Sequence, residues 1–159
     1  MVGDATRRGV PTVHTKWDMP TAILAGDVLY AKAFEYLTHA LAEDRARVKA
    51  VAMLARTCAE ICEGQHLDMT FEKAGDAVEA ADYIEMAAKK TGALYAASAG
   101  IGAILAGGNA MQVSALYQYG MNGGIAFQIS GRHTNCWRLR RTSGKALGSG
   151  SLQGDTYAR

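Results

Sequence analysis

Residues 91–131 read TGALYAASAGIGAILAGGNAMQVSALYQYGMNGGIAFQISG, and no Asp, Glu, Lys or Arg interrupts them. A charge-free run of this length is either a membrane hairpin or a pair of helices buried in protein. Its first part, Thr91 to Gly108, is about long enough to span a bilayer. That part consists mostly of Ala, Gly and Ser, with little Leu, Ile or Phe, so its transfer into lipid would be weakly driven. Buried bundle helices fit better, and no stable membrane insertion is expected. Gly108-Asn109 supplies a turn, dividing the run into one helix over Ala93–Gly107 and a second from Ala110 to about Ile129.

Working outward, the preceding segments show the same helical habit. Pro11 and Pro20 are the only prolines. Residues 1–18 are polar and irregular, closed by Met19-Pro20. Thr21 is positioned to cap a helix from Ala22 to about Leu41, whose Ile23, Leu24, Val28, Ala31, Phe34 and Leu37 recur at helical spacing. Acids at Ala42-Glu43-Asp44 open a long helix from Arg45 to about Thr70. Lys73–Ala77 reads as a loop, Val78–Lys90 as a helix, and Thr91-Gly92 as an interruption before the charge-free run. No internal repeat and no convincing strand emerge. The expected class is all-α, a helical bundle of one domain, since 159 residues are too few for two large cores.

Charge and cysteine usage bound the function. The net charge of +2 conceals a tail, Arg132 to Arg159, with six basic residues against Asp155; the body is mildly acidic. Three cysteines without a secretory leader suggest a reducing, cytoplasmic setting. Cys58, Cys62 and His66 share a helix face at metal-ligand spacing, yet two small apolar cysteines on a core face are the commoner case. Arg7-Arg8 beside Gly-Val-Pro offers planar donor forks suited to a diphosphate, or simply a solvated charge pair. Lys90 sits where charge ends and the apolar run begins, so it either binds an anionic headgroup or snorkels to water. Gln65 and Asp68 share one helical turn. Gln128 places an amide at the end of a buried helix.

Taken in order, RRGVPTVH, AILAGDVLYAKAF, EGQHLDM, KKTGALY and GGIAFQI resemble the trans-type isoprenyl (polyprenyl) diphosphate synthases, nearest the geranylgeranyl and farnesyl diphosphate synthases. The resemblance runs from Arg7 to Ile129 in the family's order. It implies the isoprenoid-synthase helical bundle, a homodimer, and prenyl transfer from an allylic diphosphate to isopentenyl diphosphate with Mg²⁺ as cofactor. By position, Arg7 resembles the family's allylic-diphosphate arginine and Arg8 the isopentenyl-diphosphate arginine. Lys90 resembles the lysine on the allylic diphosphate, and Thr91 and Gln128 resemble groups lining the carbocation site. Gln65 and Asp68 resemble the family's cavity-wall motif, and Asp27 its structural aspartate. A dry, uncharged interior suits a carbocation and a growing apolar chain.

The sequence departs from that pattern at both ends. The first DDxxD motif would precede Arg7 and is absent; the second would follow FQI, where SGRHTNCWRLRRTS stands instead. The expectation is therefore a partial synthase domain over 1–129 and an aberrant basic tail over 130–159. Gly131-Arg132-His133 can be encoded GGA-CGA-CAY, which one nucleotide later reads Asp-Asp. SGKALGS at 143–149 resembles the family's GKxxGSDL again. A frame-shifted tail needs no nucleic-acid partner; the rival reading is a basic RNA-binding extension. Without its metal-binding aspartates this polypeptide alone is expected to be inactive. A non-catalytic helical partner subunit, or a decayed gene product, is the alternative.

Overall fold

The computed structural model describes residues 4–74 and 78–143. The described chain is almost entirely helical, with one small exception at its start. Strands β1 (Thr6–Arg7) and β2 (Val10–Pro11) pair antiparallel, Thr6 opposite Pro11 and Arg7 opposite Val10. No strand was expected there. Arg8 (φ 52°) and Gly9 (φ 78°) both adopt left-handed backbone, which matches a two-residue hairpin turn to the strands' own twist. Thr12 closes the hairpin: its N–H donates to Ala5 O at 3.0 Å and its hydroxyl to Asp4 O at 2.8 Å.

One turn, α1 (Val13–Lys16), leads into α2 (Met19–Thr38). Helix α2 starts before Pro20 rather than after it, and its cap is Asp18, not Thr21. Asp18 Oδ1 accepts from Thr21 N at 2.7 Å. Proline is tolerated in the first turn because its missing N–H has no helical partner there. The hydrogen bonds from Thr21 hold the Asp18 carboxyl below the usual carboxylate range. No residue of α2 is buried, and its expected apolar face at Ile23, Leu24 and Val28 is open to solvent.

Helix α3 (Asp44–Ala74) runs past its expected end, so Lys73 and Ala74 are helical rather than loop; the rest of that expected loop lies outside the described residues. At its start Arg47 donates to Ala40 O at 3.2 Å and Ala42 O at 3.0 Å, satisfying carbonyls beyond the end of α2, and pairs with Asp44. Helix α4 (Ala80–Ala87) passes without a break through a π-helical turn (Ala88–Gly92) into α5 (Ala93–Leu105). The expected interruption at Thr91-Gly92 is thus a widened turn, not a gap.

Helix α5 ends where Gly107, at φ 79°, lets Gly108 N reach back to Ala103 O at 2.8 Å and Gly107 N to Ile104 O at 3.1 Å. Reciprocal bonds between Asn109 and Gln112 (2.9 and 3.0 Å) then open α6 (Ala110–Ser143). Helix α6 continues through the start of the basic stretch, past its expected end at Ile129.

Helix α5 lies between α3 and α6, antiparallel to both. Gly100 faces Met53 of α3 and Tyr117 of α6, while Gly92 faces Gly124. The buried residues of α5 are Ala93, Ala96, Ala97, Gly100, Ala103 and Ile104, mostly small, so backbones rather than large side chains meet. Tyr83, Met86 and Ala87 of α4 form a second cluster with Leu67, Phe71 and Val78. Among the described residues, no helix is long and apolar enough to cross a membrane.

Candidate functional site

The π-helical turn is the centre of the polar site. A π turn widens the helix by one residue and recurs at functional sites. Here three successive residues leave it toward both flanking helices. Lys89 and Lys90 reach α3 and Thr91 reaches α6. Lys90 Nζ donates to Asp68 Oδ2 at 2.6 Å, and Gln65 Nε2 donates to the same oxygen at 3.4 Å. The Asp68 and Lys90 side chains are 16% and 28% exposed, so this pair sits at a rim and not in the core. Lys89 Nζ lies 3.2 Å from Glu63 Oε2 and 3.1 Å from Glu85 Oε1. Hydrogen bonds to Glu85, then to Glu63, hold the Lys89 ammonium above its ordinary pKa. On the other side, Thr91 Oγ1 donates to Gln128 Oε1 at 3.1 Å.

These residues form two groups on opposite sides of the turn: Gln65, Asp68 and Lys90 on the α3 side, and Thr91 with Gln128, 37 residues away in sequence, on the α6 side. Arg7 and Arg8 stand side by side on the hairpin, both exposed. Asp27 lies on α2 and is exposed.

Next to this group, the rings of Tyr95 and Phe127 stack with centroids 5.9 Å apart and planes at 29°. Tyr95 is one helical turn beyond Thr91, and Phe127 immediately precedes Gln128. An ammonium rim, an amide–hydroxyl pair and an exposed aromatic pair thus follow one another along α5 and α6. That sequence of surfaces suits an amphiphilic ligand with an anionic head and an apolar body.

Sequence reasoning did not single out Lys89, Glu63, Gly64, Tyr95 or Phe127. The i, i+4 spacing of Glu85 and Lys89 was a usable signal. So was Gly64, a glycine inside a long helix, which marks a close approach. Cys58, Cys62 and His66 form no ligand cluster. Cys58 is half-buried and hydrogen-bonded by the Tyr30 hydroxyl, whose pKa this bond raises, while Cys62 and His66 are exposed.

Among the described residues no three His, Cys, Asp or Glu side chains converge on one point. Asp68 is engaged by an ammonium and an amide. These residues do not make a cage for Mg²⁺.

Comparison with known proteins places the chain in a family. The family model described as polyprenyl synthetase matches residues 3–155. The geranylgeranyl pyrophosphate synthase of Geoglobus acetivorans is 53% identical over 126 residues, 79% of this chain and 39% of the relative. The geranylgeranyl diphosphate synthase of Methanosarcina mazei is 45% identical over 151 residues, 95% of this chain and 46% of the relative. A solved Geoglobus acetivorans geranylgeranyl pyrophosphate synthetase superposes with a TM-score of 0.78 at 49% identity, covering 86% of this chain and 44% of that one. A geranyltransferase from Helicobacter pylori, complexed with magnesium and isoprenyl diphosphate, superposes with a TM-score of 0.79 at 28% identity, covering 95% of this chain and 49% of that one. The chain thus spans less than half the length of these relatives. The bundle is the isoprenoid-synthase fold. With a family model that matches residues 3–155 and relatives 45–53% identical over most of the sequence, the chain belongs to the polyprenyl synthetase family.

Proposed function

We propose that this chain carries part of the site of a prenyltransferase that condenses isopentenyl diphosphate with an allylic diphosphate. The observation that carries this reading is the opposite reach of two adjacent residues. Lys90 turns to the rim at Asp68, and Thr91 turns to Gln128 beside the uncharged helix pair. Lys90, helped by Arg7, holds the allylic diphosphate, and Arg8 holds isopentenyl diphosphate; guanidinium forks and an ammonium suit phosphate oxygens. Gln65 and Asp68 set the direction of Lys90. Breaking the allylic C–O bond leaves pyrophosphate and a cation. The Thr91 hydroxyl donates to Gln128, so its lone pairs are available to the positive charge. The alkene of isopentenyl diphosphate forms the new C–C bond, and pyrophosphate takes the proton.

No Asp-Asp pair occurs in the 159 residues. We therefore read this polypeptide alone as inactive, and Mg²⁺ as a requirement of the intact activity. The shifted frame over 130–159 remains our reading of the tail; the nucleotides under Gly131–His133 test it directly. A cytoplasmic homodimer fits the three cysteines and the uncovered apolar face of α2.

The test is titration of the purified chain with geranyl diphosphate, followed by incubation with radiolabelled isopentenyl diphosphate, each allylic primer and Mg²⁺. Binding is expected, weakened about tenfold or more in Lys90→Ala, without prenyl product. Absence of binding overturns the site assignment. Product above the blank overturns the inactivity.

A further inference from the structure

Helix α3 meets the π-helical turn at three places, and the middle one is glycine on backbone. A Cβ at Gly64 would lie 2.7 Å from both Lys89 C and Lys90 Cα, and closer still to the amide nitrogen of Lys90. On one side of this contact Glu63 holds Lys89 at 3.2 Å; on the other, Asp68 holds Lys90 at 2.6 Å. Across the turn, a Cβ at Gly124 of α6 would lie 2.6 Å from Gly92 Cα. The turn is therefore clamped between two helices, by main chain alone at Gly64 and by main chain together with the Met121 and Ile125 side chains on the α6 side.

We propose that Gly64 and Glu63 are positioning residues for Lys90. Gly64 sets how closely the lysine's backbone approaches α3, and the Glu63–Lys89 bridge fixes the rotation of the turn. This rests on the reading of Lys90 as a diphosphate ligand. Neither residue touches a substrate; both act through the place of the Lys90 ammonium. A displacement of about 1 Å at such a group costs on the order of a hundredfold in productive positioning.

The test is competitive acylation of the purified full chain with acetic anhydride, read by peptide mass spectrometry, with Lys32 on α2 as internal reference. Binding of inorganic pyrophosphate is measured in parallel. Lys90, paired with Asp68, is expected to react slowly in the wild type. Gly64→Ala should raise its reactivity several-fold and weaken pyrophosphate binding about tenfold or more. Glu63→Gln adds no volume and removes the bridge, so it should move both readouts the same way, by less, even if Gly64→Ala does not fold. Gly108→Ala is the control. Its Cβ would lie 2.9 Å from Ala103 O, a tight main-chain contact at the far end of α5, and it should leave Lys90 as in the wild type. Unchanged Lys90 reactivity in both α3 variants overturns the proposal, as does an equal change in Gly108→Ala. A labelling contrast without any pyrophosphate binding in the wild type sinks the functional reading and leaves the positioning role standing.

Discussion

Two neighbouring glycines of α6 should respond to the same substitution with opposite signs. Gly123 has nothing within 4 Å of where a Cβ would stand. Alanine there keeps the helix and removes backbone freedom from the unfolded chain, stabilising by about 0.5–1 kcal/mol. Gly124 gains the same propensity, but its Cβ would lie 2.6 Å from Gly92 Cα, well inside the 3.4 Å at which ordinary contact begins. Main-chain atoms cannot rotate away, so α5 and α6 must part locally. Overpacking costs about 1–3 kcal/mol, and against main chain at 2.6 Å the upper part of that range, about 2–3 kcal/mol, applies; less the propensity gain, Gly124→Ala is destabilised by about 1–2.5 kcal/mol net. For a chain of this size about 2–4 °C of Tm accompanies each kcal/mol. Gly123→Ala should therefore melt about 1–4 °C higher than wild type and Gly124→Ala about 2–10 °C lower, by circular dichroism at 222 nm. A Tm for Gly124→Ala at or above wild type would refute the close α5–α6 approach.

Three more outcomes follow from the described contacts. Asp18→Ala should lower the Tm at neutral pH. Because the folded-state pKa of Asp18 is depressed, its contribution is present above the ordinary carboxylate pKa and fades as pH falls through the folded value, so the two melting curves should converge in acid. A double-mutant cycle of Tyr95→Ala and Phe127→Ala in urea should give a coupling of about 0.5–1.5 kcal/mol from the stacked rings; additive effects would contradict the stacking. Thr91→Val should cost about 1 kcal/mol by leaving Gln128 without its 3.1 Å donor, and adding Gln128→Leu should cost little more.

Much of the fold was legible because the uncharged run from Thr91 to Gly131 is too poor in large apolar residues for lipid and too rich in small ones for a surface helix. Gly108-Asn109 marks the turn by local chemistry alone, and the structure keeps it there, although α5 already ends at Leu105 and Gly107 belongs to the turn rather than to the helix. The start of α2 lies earlier than the sequence predicts because Pro20, which reads as a break, is tolerated in the first turn and Asp18 is the better cap. The hairpin at Arg8-Gly9 escaped notice because only four residues pair, too few for an alternating pattern. At the site, motif order names Gln65, Asp68, Lys90, Thr91 and Gln128; the structure pairs Lys90 with Asp68 and Thr91 with Gln128 on opposite sides of the π-helical turn. Glu63–Lys89 and Tyr95–Phe127 are not legible, since nothing in the spacing of either pair shows that its helices bring the two side chains together.

The glycines of the α5–α6 contact also act as a vernier. Gly120 and Gly124 stand one helical turn apart and meet Tyr95–Ala96 and Gly92 respectively. Sliding α6 by one turn in either direction would bring Leu116 or Gln128 against backbone that admits no side chain at all. The two helices therefore have one axial setting, and that setting is the one in which Thr91 and Gln128 face each other. The alignment of the hydroxyl and the amide is in this sense written several residues away, in places where the chain has no side chain.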